Sequence, residues 1–118
     1  MSEEANLLGN IYISHRAIAT ISSQSALESY GVVGLAAKNL AEGLTQVLVK
    51  DPTLGVDVRY DPNGIQIDLY IIVEYGTRIK SVASSVAENV RYYVEKAIGL
   101  PVNQVNVHVR GLRVSNTD

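Results

Sequence analysis

The chain has no cysteine, no tryptophan and no phenylalanine among its 118 residues. The lack of cysteine excludes disulfides, thiolate nucleophiles and cysteine-ligated metals, and it is compatible with a reducing compartment. Seven tyrosines are the only aromatics. The core is therefore expected to be built of Val, Ile, Leu and Ala, with tyrosines at edges where each hydroxyl reaches water or a partner. Long hydrophobic runs are missing as well: the strongest, Leu69 to Val73, is far too short to span a bilayer. The first ten residues carry Glu3 and Glu4 without a basic flank and apolar run, so no secretory signal is visible and the reading is cytoplasmic. A net charge of -2 and a pI near 5.6 argue against a dedicated nucleic-acid binder, while leaving room for a local basic patch. There is no glycine-rich phosphate loop with lysine, no nucleophile elbow and no metalloprotease motif. Neither an enzyme nor a cofactor is expected.

What is present is a chain of one domain's length, 47% hydrophobic and 19% charged, in the range of soluble globular proteins. The expected organisation is a loose acidic start at residues 1–8, a single α+β domain over 9–114 and a loose tail at 115–118. The stretch from Gly64 to Val114 organises the rest. It reads as a long strand (Ile65 to Tyr75), an amphipathic helix (about Arg78 to Ile98) and a closing strand (Val102 to Val109), each with an apolar face needing cover.

In chain order, Gly9 to Ile13 reads as a short strand, and Ser14 stands at the cap of a helix running to about Glu28. That helix has a narrow apolar stripe of Ala17, Ile18 and Ile21. Ser22, Ser23 and Ser25 lower its propensity, so packing must hold it, and small serines let another backbone come close. Tyr30 to Ala37 is either a short buried strand or a glycine-punctuated turn, and periodicity does not choose between them. Asn39 to Val49 reads as a helix with Leu40, Leu44, Val47 and Leu48 on one face.

Val56, Val58 and Tyr60, and then Ile65, Ile67, Leu69, Ile71 and Val73, alternate with other residues and define two strands. Asp61-Pro62-Asn63-Gly64 between them suits a tight turn. Parity pairs Tyr60 with Ile65, Val58 with Ile67 and Val56 with Leu69. In the following helix Ile79, Val82, Ala83, Val86, Val90, Val94, Ala97 and Ile98 form a wide stripe, with Thr77 as a cap at the start and Gly99 at the end. In the last strand Val105, Val107 and Val109 share one face and Asn106, His108 and Arg110 the other. The apolar phase shifts after Gly111, which marks a bulge or an exit from the sheet. The fold class is thus α+β, a small, mostly antiparallel sheet with helices packed on it, in the order β-α-(β or turn)-α-β-β-α-β.

Few residues mark a site. His15 and His108 lack the neighbours of a metal centre and read as surface or capping residues, His108 being the better candidate for a binding surface. The hairpin register sets Asp57 opposite Asp68. Such a pair could act as acid and base or attract a cation, but Arg59, diagonal to Asp68, makes a neutralised polar face the plainer reading. Tyr70 and Ile72 are apolar where alternation calls for polar residues, and Tyr92 lies on the outer face of the long helix near Arg91 and Lys96. They are either covered by other elements or form a patch for self-association or a partner. The candidate surface is Tyr70, Ile72 and Glu74 with His108 and Arg110. Gly31-Val32-Val33-Gly34, with Lys38 nearby, has the GxxG form and chain position of a KH domain's RNA loop. Its two valines stand where such loops carry polar or basic residues, so RNA binding is the alternative and not the first reading.

Several segments resemble the alkaline shock protein family of Gram-positive bacteria over roughly residues 9 to 112. They are Asp68-Leu69-Tyr70-Ile71-Ile72-Val73-Glu74-Tyr75-Gly76, the helix carrying Val82, Val86, Glu88-Asn89-Val90 and Val94, and Val105-Asn106-Val107-His108-Val109 with Gly111. Gly9 to Ser14 and Gly31 to Leu35 agree as well. The resemblance implies a non-enzymatic cytosolic protein of cell-envelope homeostasis or alkaline-type stress. It would work as an oligomeric scaffold or adaptor through contacts with itself and with a membrane-anchored partner. It supplies no catalytic residues to carry over. The mild charge and the lack of a basic amphipathic helix disfavour direct membrane binding.

Overall fold

Strand β3 (Gly64–Glu74) is the axis of the sheet, and every other described strand pairs with it. The computed structural model describes residues 15–37 and 50–114. The expected acidic start, the strand at Gly9–Ile13, the Ser14 cap, Lys38, the helix at Asn39–Val49 and the tail 115–118 lie outside the described residues. Within them the order is α1 (His15–Leu27), β1 (Val32–Leu35), a short 3-10 turn (Pro52–Gly55), β2 (Val56–Asp61), β3, α2 (Ile79–Ile98) and β4 (Val102–Arg113). This is the α+β architecture expected of the sequence. β1 and β2 follow one another along one edge of β3, both antiparallel, while β4 runs parallel along the whole other edge. Parallel neighbours cannot be joined by a tight turn, and α2 is the crossover that connects them.

The hairpin follows the parity argument: Tyr60 pairs with Ile65, Val58 with Ile67 and Val56 with Leu69, so each core residue stands opposite another. Of the two readings for Tyr30 to Ala37, the strand is the one found. Val32, Gly34 and Leu35 pair with Val73, Ile72 and Ile71, and a register shift leaves Val33 as the extra residue. Gly31, at φ +88°, turns the chain into β1, and its carbonyl accepts from the Glu74 N–H at 2.8 Å.

The core lies between the sheet and the two helices. Ile65, Ile67, Leu69, Ile71 and Val73 of β3 meet Val82, Val86, Val90 and Val94 of α2, a run at strict four-residue spacing. Each such side chain contributes about 1.5–2 kcal/mol on leaving water. The ends of the expected stripe fall outside this row: Ile79 is 40% exposed, and Ala97 is exposed as well. The cap also differs from expectation. Arg78 occupies the N-cap of α2 without a side-chain bond, and the Thr77 hydroxyl donates instead to the Glu74 carbonyl at 2.7 Å. Thr77 thus closes the turn after β3 and does not cap the helix. Gly99 ends α2 at φ 72°, its N–H donating to the Glu95 carbonyl.

The buried residues of α1 are Ile18, Ala19, Ser22, Ser23, Ser25 and Ala26, whereas Ala17 is exposed and Ile21 only partly buried. The expected stripe holds only apolar residues, whereas the helix also inserts its small serines. One bond fastens α1 and another the turn after it: His15 Nε2 donates to the Val58 carbonyl on β2 at 2.8 Å, and Asn89 of α2 donates to the Ser29 hydroxyl at 2.9 Å. His15 therefore has a structural role at the start of the helix.

Candidate functional site on the second face of the sheet

Alternation sends Gln66, Asp68, Tyr70, Ile72 and Glu74 of β3 to the face away from the helices. In register, Asp68 stands between Asp57 of β2 and Asn106 of β4, and Tyr70 stands beside His108. Asp68 is only 4% exposed. One oxygen accepts from Arg59 at 2.8 Å, and the other from His108 Nε2 at 2.9 Å and Asn106 Nδ2 at 3.1 Å. A carboxylate only accepts, so the His108 Nε2 carries the proton in this contact. Burial by itself pushes the Asp68 carboxyl up, but the bonds from His108, Arg59 and Asn106, with the Arg59 charge, outweigh it and hold the pKa below the ordinary value. The same contact raises the pKa of Arg59 above its ordinary value.

The aromatic half of the cluster rests on this ionic base. The Tyr70 ring stacks on the His108 ring with centroids 4.6 Å apart and planes 11° from parallel, and the Arg110 guanidinium lies 4.8 Å from the Tyr70 centroid. Such stacked and cation–π contacts fix side chains that would otherwise move freely. Arg110 reaches this position through a bulge. Val109 pairs with Ile71 and Gly111 with Ile72, so Arg110 is an extra residue in β4, close to where the apolar phase shifts.

The five surface candidates therefore separate. Tyr70, His108 and Arg110 come together, the first half-buried and the other two exposed. Glu74 sits at the end of β3 in register with Arg113. Ile72 is fully buried, between Gly34 and Gly111 in register and outside the helix-side core, so it is no part of an exposed patch. Of the GxxG residues, Gly31 makes the turn and Val32, Val33 and Gly34 belong to β1, a strand where an RNA loop of the KH kind would stand between helices. Tyr92 and Tyr93 lie exposed and edge to face on α2, with Lys96 5.6 Å from the Tyr92 ring. Asp57 does face Asp68, and Arg59 bridges them, at 3.9 Å from Asp57 and 2.8 Å from Asp68.

The residue that sequence reasoning passed over is Asn106. Its role depends on the parallel register of β4, which no local pattern announces. Both Asp68 oxygens are engaged by protein donors, and among the described residues no group of three or more His, Asp or Glu is placed to hold a metal ion. A cavity of about 300 Å³ lies elsewhere, between Tyr30, Thr77, Arg78, Ser81 and Ser85, without a carboxylate or imidazole in its wall. No described helix is long and apolar enough to cross a membrane.

Comparison with known proteins shows the family and the fold. The chain is 46% identical over 110 residues to the uncharacterized protein YloU of Bacillus subtilis, covering 92% of each chain. It is 35% identical over 108 residues to the uncharacterized protein Spy1614 of Streptococcus pyogenes serotype M6, covering 90% of this chain and 89% of that one. Among solved structures, a copper form of the MamM CTD superposes with a TM-score of 0.52 at 17% identity, over 89% of this chain and 93% of the other. A zinc form of a substituted MamM CTD also gives 0.52, at 16% identity, over 87% of this chain and 91% of that one. These two share the fold. Residues 3–114 match a family described by its cell envelope-related function, and the chain belongs to that family, the alkaline shock protein 23 family.

Proposed function

We propose that the chain is a non-enzymatic scaffold or adaptor of cell-envelope homeostasis and alkaline-type stress. It acts in the cytoplasm through contacts with itself and with a membrane-anchored partner protein, without a cofactor. The observation that carries this reading is the Tyr70–His108–Arg110 cluster, held in place from beneath by the buried Asp68. Tyrosine and arginine fixed in advance lose little entropy on docking, and both are enriched where proteins meet. The exposed atoms of this cluster are an imidazole edge, a guanidinium and a phenol ring, which suits a protein surface better than a small substrate. The family's envelope-related function is consistent with a partner at the membrane.

The test is a cross-linked pull-down of the tagged chain from its native cells, comparing wild type with a Tyr70→Ser, Arg110→Ser double variant. Wild type is expected to recover itself and one membrane protein, and the variant to lose the membrane protein. Equal recovery by both would remove this surface from the argument. RNA retained through a high-salt wash would replace the scaffold reading with nucleic-acid binding.

A further inference from the structure

The apolar row at the rim of the sheet is left half covered. Every core-facing side chain of β3 is at most 2% exposed, whereas Val105, Val107 and Val109, their direct neighbours on β4, are only partly buried. The last turns of α2 grip the start of β4, where Arg91 donates to the Val102 carbonyl and Glu95 accepts from the Val102 N–H at 2.8 Å. Among the described residues no strand pairs with the outer edge of β4. The edge of a strand 12 residues long is a template for another strand.

The β4 edge is also self-complementary. Its two register shifts make Asn103 and Arg110 the extra residues, and between them Gln104 to Val109 run in step with Gln66 to Ile71. We propose that this edge pairs antiparallel with β4 of a second copy, about a two-fold axis at Val107. Val107 then meets the partner's Val107, and Val105 meets the partner's Val109, so the half-covered row becomes a continuous apolar seam. On the other face Asn106 lies beside the partner's His108, and Gln104 beside the partner's Arg110. No two like charges are directly opposed, because β4 carries no acidic residue and its arginines lie toward one end. Two Tyr70–His108–Arg110 clusters come to share one extended face. The inference rests on the self-association in the proposed function and assigns the surface that produces it.

A Val107→Cys variant of the full chain supplies the only thiol in the protein. Directly opposed Cα atoms of antiparallel strands lie about 4.5–5.5 Å apart, within disulfide range. Under mild oxidation this variant is expected to form a covalent dimer, while Thr20→Cys, exposed on α1, stays monomeric under the same conditions. Gln104→Lys sets like charges against the partner's Arg110 twice per dimer and is expected to weaken association about fivefold in sedimentation. Adding Arg110→Glu restores it, and this pair decides the matter if the cysteine variant fails to fold. Self-association without the cross-link and without any response to the charge pair would overturn the β4 edge while leaving the scaffold reading in place. A wild-type chain that sediments as a monomer would overturn both.

Discussion

The Asp68 carboxylate and the His108 imidazole meet at 2.9 Å across neighbouring parallel strands, although 40 residues separate them in the chain. The contact joins the two halves of the β3–α2–β4 unit on the face away from its helix. Around it the protein places Arg59, Tyr70, Asn106 and Arg110.

Acid should weaken the fold through Asp68. Its folded pKa lies below the ordinary 3.8, so its contribution is fully present above that value and is lost as pH falls through the lower folded one. Asp68→Asn removes the contribution at neutral pH, where the expected loss is about 2–3 kcal/mol, and flattens the acid limb. Urea unfolding at pH 7 and at several points below pH 4 checks both effects. An unchanged acid limb in the variant would assign the pH dependence to other carboxylates.

Ser22 should be a stabilising site for substitution. Its side chain is fully buried, and its hydroxyl finds no hydrogen-bond partner among the described residues. Ser22→Ala removes that unsatisfied group and raises helix propensity, for an expected gain of about 1 kcal/mol. Thermal melting would show a higher midpoint. A lower one would mean that the hydroxyl is bonded after all.

Gly31 and Gly99 should respond differently to alanine. Both have positive φ, so each substitution carries about 1 kcal/mol of backbone strain. A Cβ on Gly31 would also lie 2.6 Å from Val82 Cγ2, whereas a Cβ on Gly99 meets nothing within 4 Å. Gly31→Ala is therefore expected to cost at least about 1 kcal/mol more than Gly99→Ala in denaturant unfolding. Equal losses would show that Val82 moves aside freely.

Tyr70→Ser should separate recognition from stability. The ring is only half-buried on the non-core face, so the expected loss in stability is about 1 kcal/mol. Recovery of a membrane partner should fall much further. A parallel fall in both would make Tyr70 a structural residue.

Much of the architecture was legible in the chain because it is written in local periods. The two-residue alternation of β2 and β3, with the turn at Asp61 to Gly64, determined the hairpin register residue by residue. The four-residue spacing of Val82, Val86, Val90 and Val94 determined the buried face of α2, and Gly99 its end. The face of α1 was only partly legible: Ile18 is buried as expected, but the serines that complete the face leave no continuous apolar stripe to read. Nor was the choice of strand for Val32–Leu35, since a short apolar run with two glycines suits strand and turn alike.

The candidate site divides along the same line. Local sequence set Asp57 opposite Asp68 and placed His108 and Arg110 on one face of β4. Only the tertiary structure brought β4 beside β3 in parallel, with Asn106 and His108 on Asp68 and a bulge that carries Arg110 to Tyr70. It also decided that Ile72, which the sequence left open as either covered or part of a surface patch, is buried. The physical reason is that alternation fixes which way a side chain points on its own strand. The register between strands 40 residues apart depends on how α2 packs against the sheet, and no local pattern encodes that.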